Sequence, residues 1–428
     1  MQPSIIVDKW GIKTGSLLGY AVTKDDFYVS REFTYSRAGT TPGTLINASG
    51  DVVDAVLNTP RIDYRDGAPA LLVEPASTNF ARFVQQMTAQ DTPAASGGMT
   101  ITTGSTDFLA PDGTSGSITK YVGGAASGVS QYAYYAAGNI IVTAAGQHTF
   151  SLFVKAGATN PLNFCALNFA LYTGGSGTDT SYFSLASGTA LTSGASIQDY
   201  GNGWYRLISA PYTIASGDLT GQLVFWMAEA NNDVSWPASG ALNLTAYTWG
   251  AQVEAGTVAT TYIPTTTGSA TRNADVINAS GALVSGLIGQ SEGTIYAEFN
   301  MQTFGAEGYA IRLVAASFDN SVHIVRSSAN NVSLVVRAGG SNVFSQAVAA
   351  TGFVKAAVAY KSGDMAAFVN GTQVGTTSTS SLTFGASFTA VNLGAFSSGA
   401  AVLNDRIRAA ALYTTRLTNE QLEQLTKP

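Results

Sequence analysis

The run Leu242-Asn243-Leu244-Thr245-Ala246-Tyr247-Thr248-Trp249-Gly250-Ala251-Gln252-Val253-Glu254, followed by Ala255-Gly256 and then Tyr262-Ile263-Pro264, decides the fold class of this 428-residue chain. Alternation places Leu242, Leu244 and Ala246 on one face and Asn243, Thr245, Tyr247 and Trp249 on the other, the pattern of a half-buried strand closing a sheet. Pro264 then removes a ladder donor, and Thr265 to Ala270 carry almost nothing apolar, so the sheet is expected to end there. Thr271-Arg272-Asn273-Ala274-Asp275 opens the next segment.

The same period recurs outward from this run. Phe150, Leu152 and Val154 alternate with Ser151, Phe153 and Lys155, and Trp204, Arg206 and Ile208 with Tyr205, Leu207 and Ser209. Leu223-Val224-Phe225-Trp226-Met227 is continuously apolar, as in a strand covered on both faces. Ile295, Ala297 and Phe299 resume the alternation, and Asn370-Gly371 between Phe368-Val369 and Thr372-Gln373-Val374 is a type I′ hairpin signal. Many short strands without intervening helices argue for an all-β chain of two β-sandwich, jelly-roll domains. The expected division is a short irregular region over 1–85, a sandwich over 86–270 and a second sandwich over 271–428. Near the end, Thr418 is placed to cap a short helix, with Gln421 at the capping-box position.

Composition narrows the function classes. Charged residues make up 11%, against about 25% in an average domain. The net charge is −6 with no basic stripe, so nucleic acid is not an expected partner. Mean hydropathy is +0.14, but the apolar runs fall far short of the roughly 20 residues of a membrane span. Asp8 and Lys9 interrupt the stretch that a signal peptide would need to be apolar. The single Cys165, amid apolar neighbours, reads as a buried inert thiol.

Nucleophile-elbow, phosphate-loop, dinucleotide-binding and zinc-protease motifs are absent from the sequence, and His148 and His323 read as structural imidazoles. The acids Asp63, Asp66, Glu74, Asp199, Glu229, Asp233, Asp364 and Asp405 show no telling spacing, so the expectation is a non-enzyme without cofactor. Glu254 is the residue at which a structural calcium would be sought. Trp204, Trp226 and Trp249 lie on strand patterns and read as core. Trp236 lies in the loop Asn231 to Gly240, where an indole beside Asn232 and Asp233 would make a saccharide platform stiffened by Pro237. The Phe318-Asp319-Asn320 turn is the next candidate, through Asp319 and Asn320.

Three phrases carry a family resemblance. Trp-Gly-Ala-Gln-Val-Glu-Ala-Gly with Ala-Thr-Thr-Tyr-Ile-Pro-Thr and Thr-Arg-Asn-Ala-Asp resembles a phrase of bacteriophage tail-fibre, spike and minor structural proteins. Tyr35-Ser36-Arg37-Ala38 through Pro60-Arg61-Ile62-Asp63-Tyr64 to Leu71-Leu72-Val73-Glu74-Pro75-Ala76-Ser77-Thr78-Asn79 resembles their N-terminal phrase, and Gly203-Trp204-Tyr205-Arg206 their central one. The resemblance implies an attachment role for 1–85, a carbohydrate-binding-module-like jelly roll for 86–270, and a virion protein made in the host cytoplasm and released by lysis. Its partners would be other virion proteins, a host-surface glycan and copies of itself, trimers being common among such proteins. Lys355 to Tyr360, the Asn370-Gly371 hairpin, Asn404 to Arg408 and Thr418 to Leu422 resemble a laminin-G or concanavalin-like domain. A head-decoration or tail-assembly protein without ligand, and a polysaccharide depolymerase, are the rival expectations.

Overall fold

The computed structural model describes residues 5–7, 10–13, 16–22, 28–81, 94–95, 98–124, 131–170, 172, 174–234, 243–266, 268–280, 287–302, 306–396 and 399–428. The chain is all-β, in antiparallel sheets, and divides into two compact units. The first comprises Met1–Thr40, Ala55–Ala76 and Asn273–Pro428, and the second Thr41–Asp54 and Ser77–Arg272.

The first unit is a sandwich of two sheets. In one, Glu292–Met301 lies between Gly352–Lys361 and Asp405–Tyr413, and the latter pairs in turn with Ala70–Val73. In the other, Tyr28–Ser36, Val276–Ser280, Ala390–Leu393, Gly308–Val314, Ser321–Arg326, Asn331–Ala338 and Ser341–Ala349 follow one another. Inward-facing Ile295, Ala297 and Phe299 of the first sheet meet Ile311, Leu313, Val322, Ile324, Leu334 and Val336 of the second in one buried cluster. Burying each such side chain contributes about 1.5–3 kcal/mol. The expected hairpin is present: Val369 pairs with Thr372, and Asn370 and Gly371 both take the positive φ of a type I′ turn. The helix Asn419–Thr426 carries the full Thr418–Gln421 capping box.

In the second unit, Gln131–Ile141, Thr220–Ala228, Phe164–Ala170 and Thr180–Ser184 form one sheet, and Ile118–Val122, Thr245–Ala255, Gly146–Ala156 and Trp204–Ile208 lie at the centre of the other. Phe150, Leu152, Phe169, Leu223, Phe225 and Met227 fill the space between them, with Cys165 fully buried. Burial pushes the Cys165 thiol up, so it is inert, as expected.

Three expectations change. Residues 1–85 are not a separate irregular region: Tyr35 pairs with Ile277, Leu71 with Ile407, and Phe33, Tyr35, Leu71 and Val73 belong to the first unit's core. Residues 41–54 and 77–81 belong to the second unit. These short apolar runs have no continuous face of their own because they complete faces begun hundreds of residues away. Thr245–Ala255 is not half-buried; both of its faces are covered. Gly250, at φ +62°, forms a bulge between the pairs Phe153–Trp249 and Ser151–Gln252, so that Trp249, Gln252 and Glu254 all project from the sheet's outer face. Finally, Trp226 is only partly buried, on Tyr132 at 4.5 Å between ring centroids, whereas Trp204 and Trp249 are core.

Candidate ligand-binding site

A second aromatic layer covers the outer face around Gly250. Phe153 meets Trp249 at 5.2 Å and Tyr200 at 4.8 Å, both edge-on, and Tyr262 packs on Trp249 at 4.6 Å. Beside this layer lies a cavity of about 290 Å³, near the lower end of ligand pockets at about 300–1,000 Å³. Phe108, Leu109, Lys155, Tyr200, Asn202, Trp204 and Asp51 are among the residues that line it.

Each wall residue is held by local chemistry. Register places Lys155 between Trp204 on one neighbouring strand and Tyr247 on the other, all on one face. Trp204 is buried, and its indole Nε1 donates to the Leu109 carbonyl at 3.0 Å, which pins the Phe108-Leu109 loop over the sheet. Phe108 stands edge-on to Tyr247 at 4.9 Å, and Tyr247 donates its hydroxyl to Asp107, which also pairs with Lys120 at 2.7 Å.

Opposite, the turn Asp199 to Trp204 is closed by Trp204 N donating to Gly201 O and by Gly201 N donating to the Asp199 carboxylate at 2.7 Å. Asn202 takes a left-handed conformation that leaves its side chain exposed. Lys155 reaches across: its Nζ donates to Asn202 O and lies 4.5 Å from the Phe108 centroid. Burial holds the Lys155 ammonium below its ordinary range. Tyr200 is half-buried and Leu109 is 60% exposed, so an apolar edge faces solvent beside amide, ammonium and carboxylate groups. Such a wall matches a sugar ring, whose C–H face stacks on aromatics while its hydroxyls seek directional partners.

The residues singled out in the sequence fall elsewhere. Trp236 and Pro237 lie outside the described residues. Asn232 is exposed and left-handed in a tight turn in which Glu229 N donates to Asp233 O at 3.1 Å; neither Asn232 nor Asp233 lines the pocket. Asn320 is buried, its Oδ1 accepting from Gly339 N and Gly385 N, so it fastens two loops. Asp319 is exposed and accepts from Ser317 Oγ at 3.0 Å. Phe108, Leu109 and Tyr200 were missed because only Trp204 is part of a recognisable phrase. Their one sequence signal was an apolar Phe-Leu-Ala inside the turn-rich Asp107 to Gly113 segment.

The acids have structural partners. Glu254 accepts from Ser77 Oγ and Gln252 Nε2 at 2.5 Å and from Thr260 N at 2.9 Å, and Thr260 Oγ1 also donates to it. With both oxygens so occupied, Glu254 serves as the clasp of the second unit. Among the described residues no group of three or more His, Cys, Asp or Glu is arranged to hold a metal. Asp63 and Asp66 face Arg406, Glu74 pairs with Arg61, and Asp364 with Arg416. His148 is buried with Nδ1 3.0 Å from Gly146 O, and burial lowers its pKa. Among the described residues, no helix is long and apolar enough to cross a membrane.

No protein-family model and no curated protein matches the chain. Solved structures similar to part of it include the Ruminococcus gnavus IT-sialidase CBM40 bound to α2,3-sialyllactose, at 17% identity and a TM-score of 0.29 over 34% of this chain and 86% of that one. The leech intramolecular trans-sialidase complexed with 2,7-anhydro-Neu5Ac is similar at 16% identity and a TM-score of 0.28, over 35% of this chain and 27% of that one. The binding domain of botulinum neurotoxin DC in complex with rat synaptotagmin II is similar at 10% identity and a TM-score of 0.29, over 36% of this chain and 40% of that one. At these values the likeness carries no inference about ligand or activity.

Proposed function

We propose that the chain is a non-catalytic bacteriophage virion protein, of the tail-fibre, spike or head-fibre kind, that binds host-surface carbohydrate through the aromatic pocket of its second unit. The observation that carries the binding reading is the pocket wall itself: Tyr200, Phe108 and exposed Leu109 on loops beside Asn202 and Asp51, with Lys155 on the strand beneath them. The virion reading is supported by the three phrases, whose residues recur as the buried polar clasps of both units. Assembly as a homo-oligomer with other virion proteins follows from the same resemblance.

A glycan array with the intact protein tests the binding. Retention on host-surface saccharides that is lost in Tyr200→Ala supports it, whereas no retention on any glycan favours a purely structural virion protein. Release of reducing ends from purified host polysaccharide would instead make the chain a depolymerase. Labelling of intact particles with an antibody to this chain tests the virion assignment, which fails if no particle is labelled.

A further inference from the structure

The outer face of the seven-strand run in the first unit carries two arginines without acidic partners among the described residues. Ile311, Leu313, Val322, Ile324, Leu334 and Val336 point into the core, so alternation turns Arg312, His323 and Arg337 to the opposite side. Register sets Arg312 directly against His323, and Arg337 against Ser321 two residues away on the same strand. The loop between these strands folds Phe318 back over them. The Arg312 and Arg337 guanidinium carbons lie 5.0 and 4.9 Å from the Phe318 centroid, and Phe396 closes the edge at 4.9 Å.

The charge balance of this cluster is the informative part. Arg312 is 4% exposed; its Nη1 donates to Phe396 O at 2.6 Å and its Nε has no hydrogen-bond partner among the described residues. Arg337 donates from Nε to Phe318 O and from Nη1 to Asn342 Oδ1, both uncharged acceptors. Among the described residues neither arginine has a carboxylate within 4.0 Å, although Arg37, Arg61, Arg406, Arg408 and Arg416 all do. Of the acids nearby, Glu307 bonds Tyr309 and Asp319 accepts from Ser317. Burial and the two arginines push His323 down to about 3, so it stays neutral. A buried guanidinium beside a second cation, with no counter-charge, is a costly arrangement unless an anion completes it. Phe318, at 36% exposure, adds an apolar edge at the same place.

We propose that this cluster is a second binding site, for an acidic saccharide whose carboxylate or sulfate sits between Arg312 and Arg337 while its ring rests on Phe318. Guanidinium groups recognise such oxyanions through paired N–H donors. The proposal rests on the carbohydrate-binding reading only in taking a sugar as the carrier of the anion; the site is separate from the aromatic pocket.

Titration of the full chain with oligogalacturonate and with dextran sulfate, against neutral dextran, tests it and separates carboxylate from sulfate. Binding of one or both acidic ligands at low salt is expected, weakened at least about tenfold by Arg337→Gln and by molar salt, and unchanged by Tyr200→Ala. The imidazole signal of His323 should move on binding. Arg337 is half-exposed, so its variant keeps the experiment meaningful even if Arg312→Gln fails to fold. Equal affinity for neutral dextran, or acidic binding that survives Arg337→Gln, overturns the proposal. So does acidic binding lost only in Tyr200→Ala, which would move the anion to the aromatic pocket. Saturation by inorganic sulfate without any saccharide binding overturns the choice of a sugar.

Discussion

Arg61 and Asp275, 214 positions apart in sequence, form a fully buried ion pair through Arg61 Nη2 and Asp275 Oδ2. The pair is the centre of a closed network. Tyr35 donates to Asp275 Oδ1 at 2.5 Å, Glu74 N donates to Asp275 Oδ2 at 2.9 Å, and Arg61 Nη1 donates to Glu74 at 2.6 Å. Arg37 Nη1 bonds Tyr35 and its Nη2 caps the Ala55 carbonyl. Burial, and the nearby Asp275 charge, drive the Tyr35 phenol pKa far up, so it remains a donor throughout the physiological range.

Removing one member of such a network strands the others. Asp275→Ala is expected to cost about 3–5 kcal/mol, because buried Arg37 loses its carboxylate partner and buried Arg61 keeps only Glu74. The double change Arg61→Met with Asp275→Leu should cost less than the sum of the single changes. Urea denaturation of the full chain checks this, and a loss below about 1 kcal/mol for Asp275→Ala would mean that water replaces the carboxylate.

The division of the chain leads to a second expected outcome. A fragment spanning residues 275–428 lacks Tyr28–Ser36 and Ala70–Val73, which pair with Val276–Ser280 and Asp405–Tyr413. It also lacks Phe33, Tyr35, Leu71 and Val73 from the core, and Arg61 from the ion pair. Expressed alone, it should aggregate through these open edges. A monomer of the fragment with a cooperative unfolding transition would show that the N-terminal strands are dispensable.

How much of this was legible in the sequence follows from the range of each signal. The Asn370-Gly371 hairpin and the Thr418 cap were legible because their partners are neighbours. The all-β class was legible from alternation. The N-terminal strands were not assignable, since the strands that join Tyr35 and Leu71 to the sheets of the first unit, through Ile277 and Ile407, come more than two hundred residues later. Gly250 hid the phase of Thr245–Ala255: a bulge shifts the alternation by one, so Gln252 and Glu254 appeared to belong to the opposite face from Trp249. The pocket was illegible for a related reason, as Phe108 and Tyr200 line one cavity from distant parts of the chain, with Trp204 tying Leu109 down between them.

Asp405 gives the first unit a pH dependence of calculable sign. Its carboxyl is buried, its Oδ2 has no hydrogen-bond partner among the described residues, and burial raises its pKa from the ordinary 3.8 to about 6, against the opposing pull of Asn300 and Arg406. The folded state therefore holds the proton more tightly than the unfolded chain. Stability from this group grows as pH falls from about 6 toward 4 and is lost as pH rises through about 6, by up to about 3 kcal/mol. Asp405→Asn cannot titrate. The stability of wild type relative to Asp405→Asn should thus rise on acidification between pH 7 and 4, and a difference that stays flat would show that Asp405 is ionised normally in the folded protein.

The pocket itself yields the last expected outcome, in which binding and stability should separate. Leu109 is 60% exposed and its backbone carbonyl, not its side chain, holds Trp204, so Leu109→Ala removes apolar contact surface without touching the fold. Tyr200 is half-buried on Phe153, so Tyr200→Ala should lower stability modestly, by about 0.5–1.5 kcal/mol for the lost aromatic pair. If a sugar ring stacks between these two side chains, each change should weaken glycan binding by roughly 1–3 kcal/mol, judged from aromatic stacking on nucleic-acid bases. Lys155→Met keeps an apolar side chain of similar length while removing the ammonium that lies over Phe108 and bonds Asn202, and should loosen the Asp199 to Trp204 turn as well as the ligand. Binding titrations and thermal melts on the same three variants separate the outcomes. Weaker binding with an unchanged melt in Leu109→Ala places the ligand in the pocket; unchanged binding in all three, with folded protein, removes the pocket from the function.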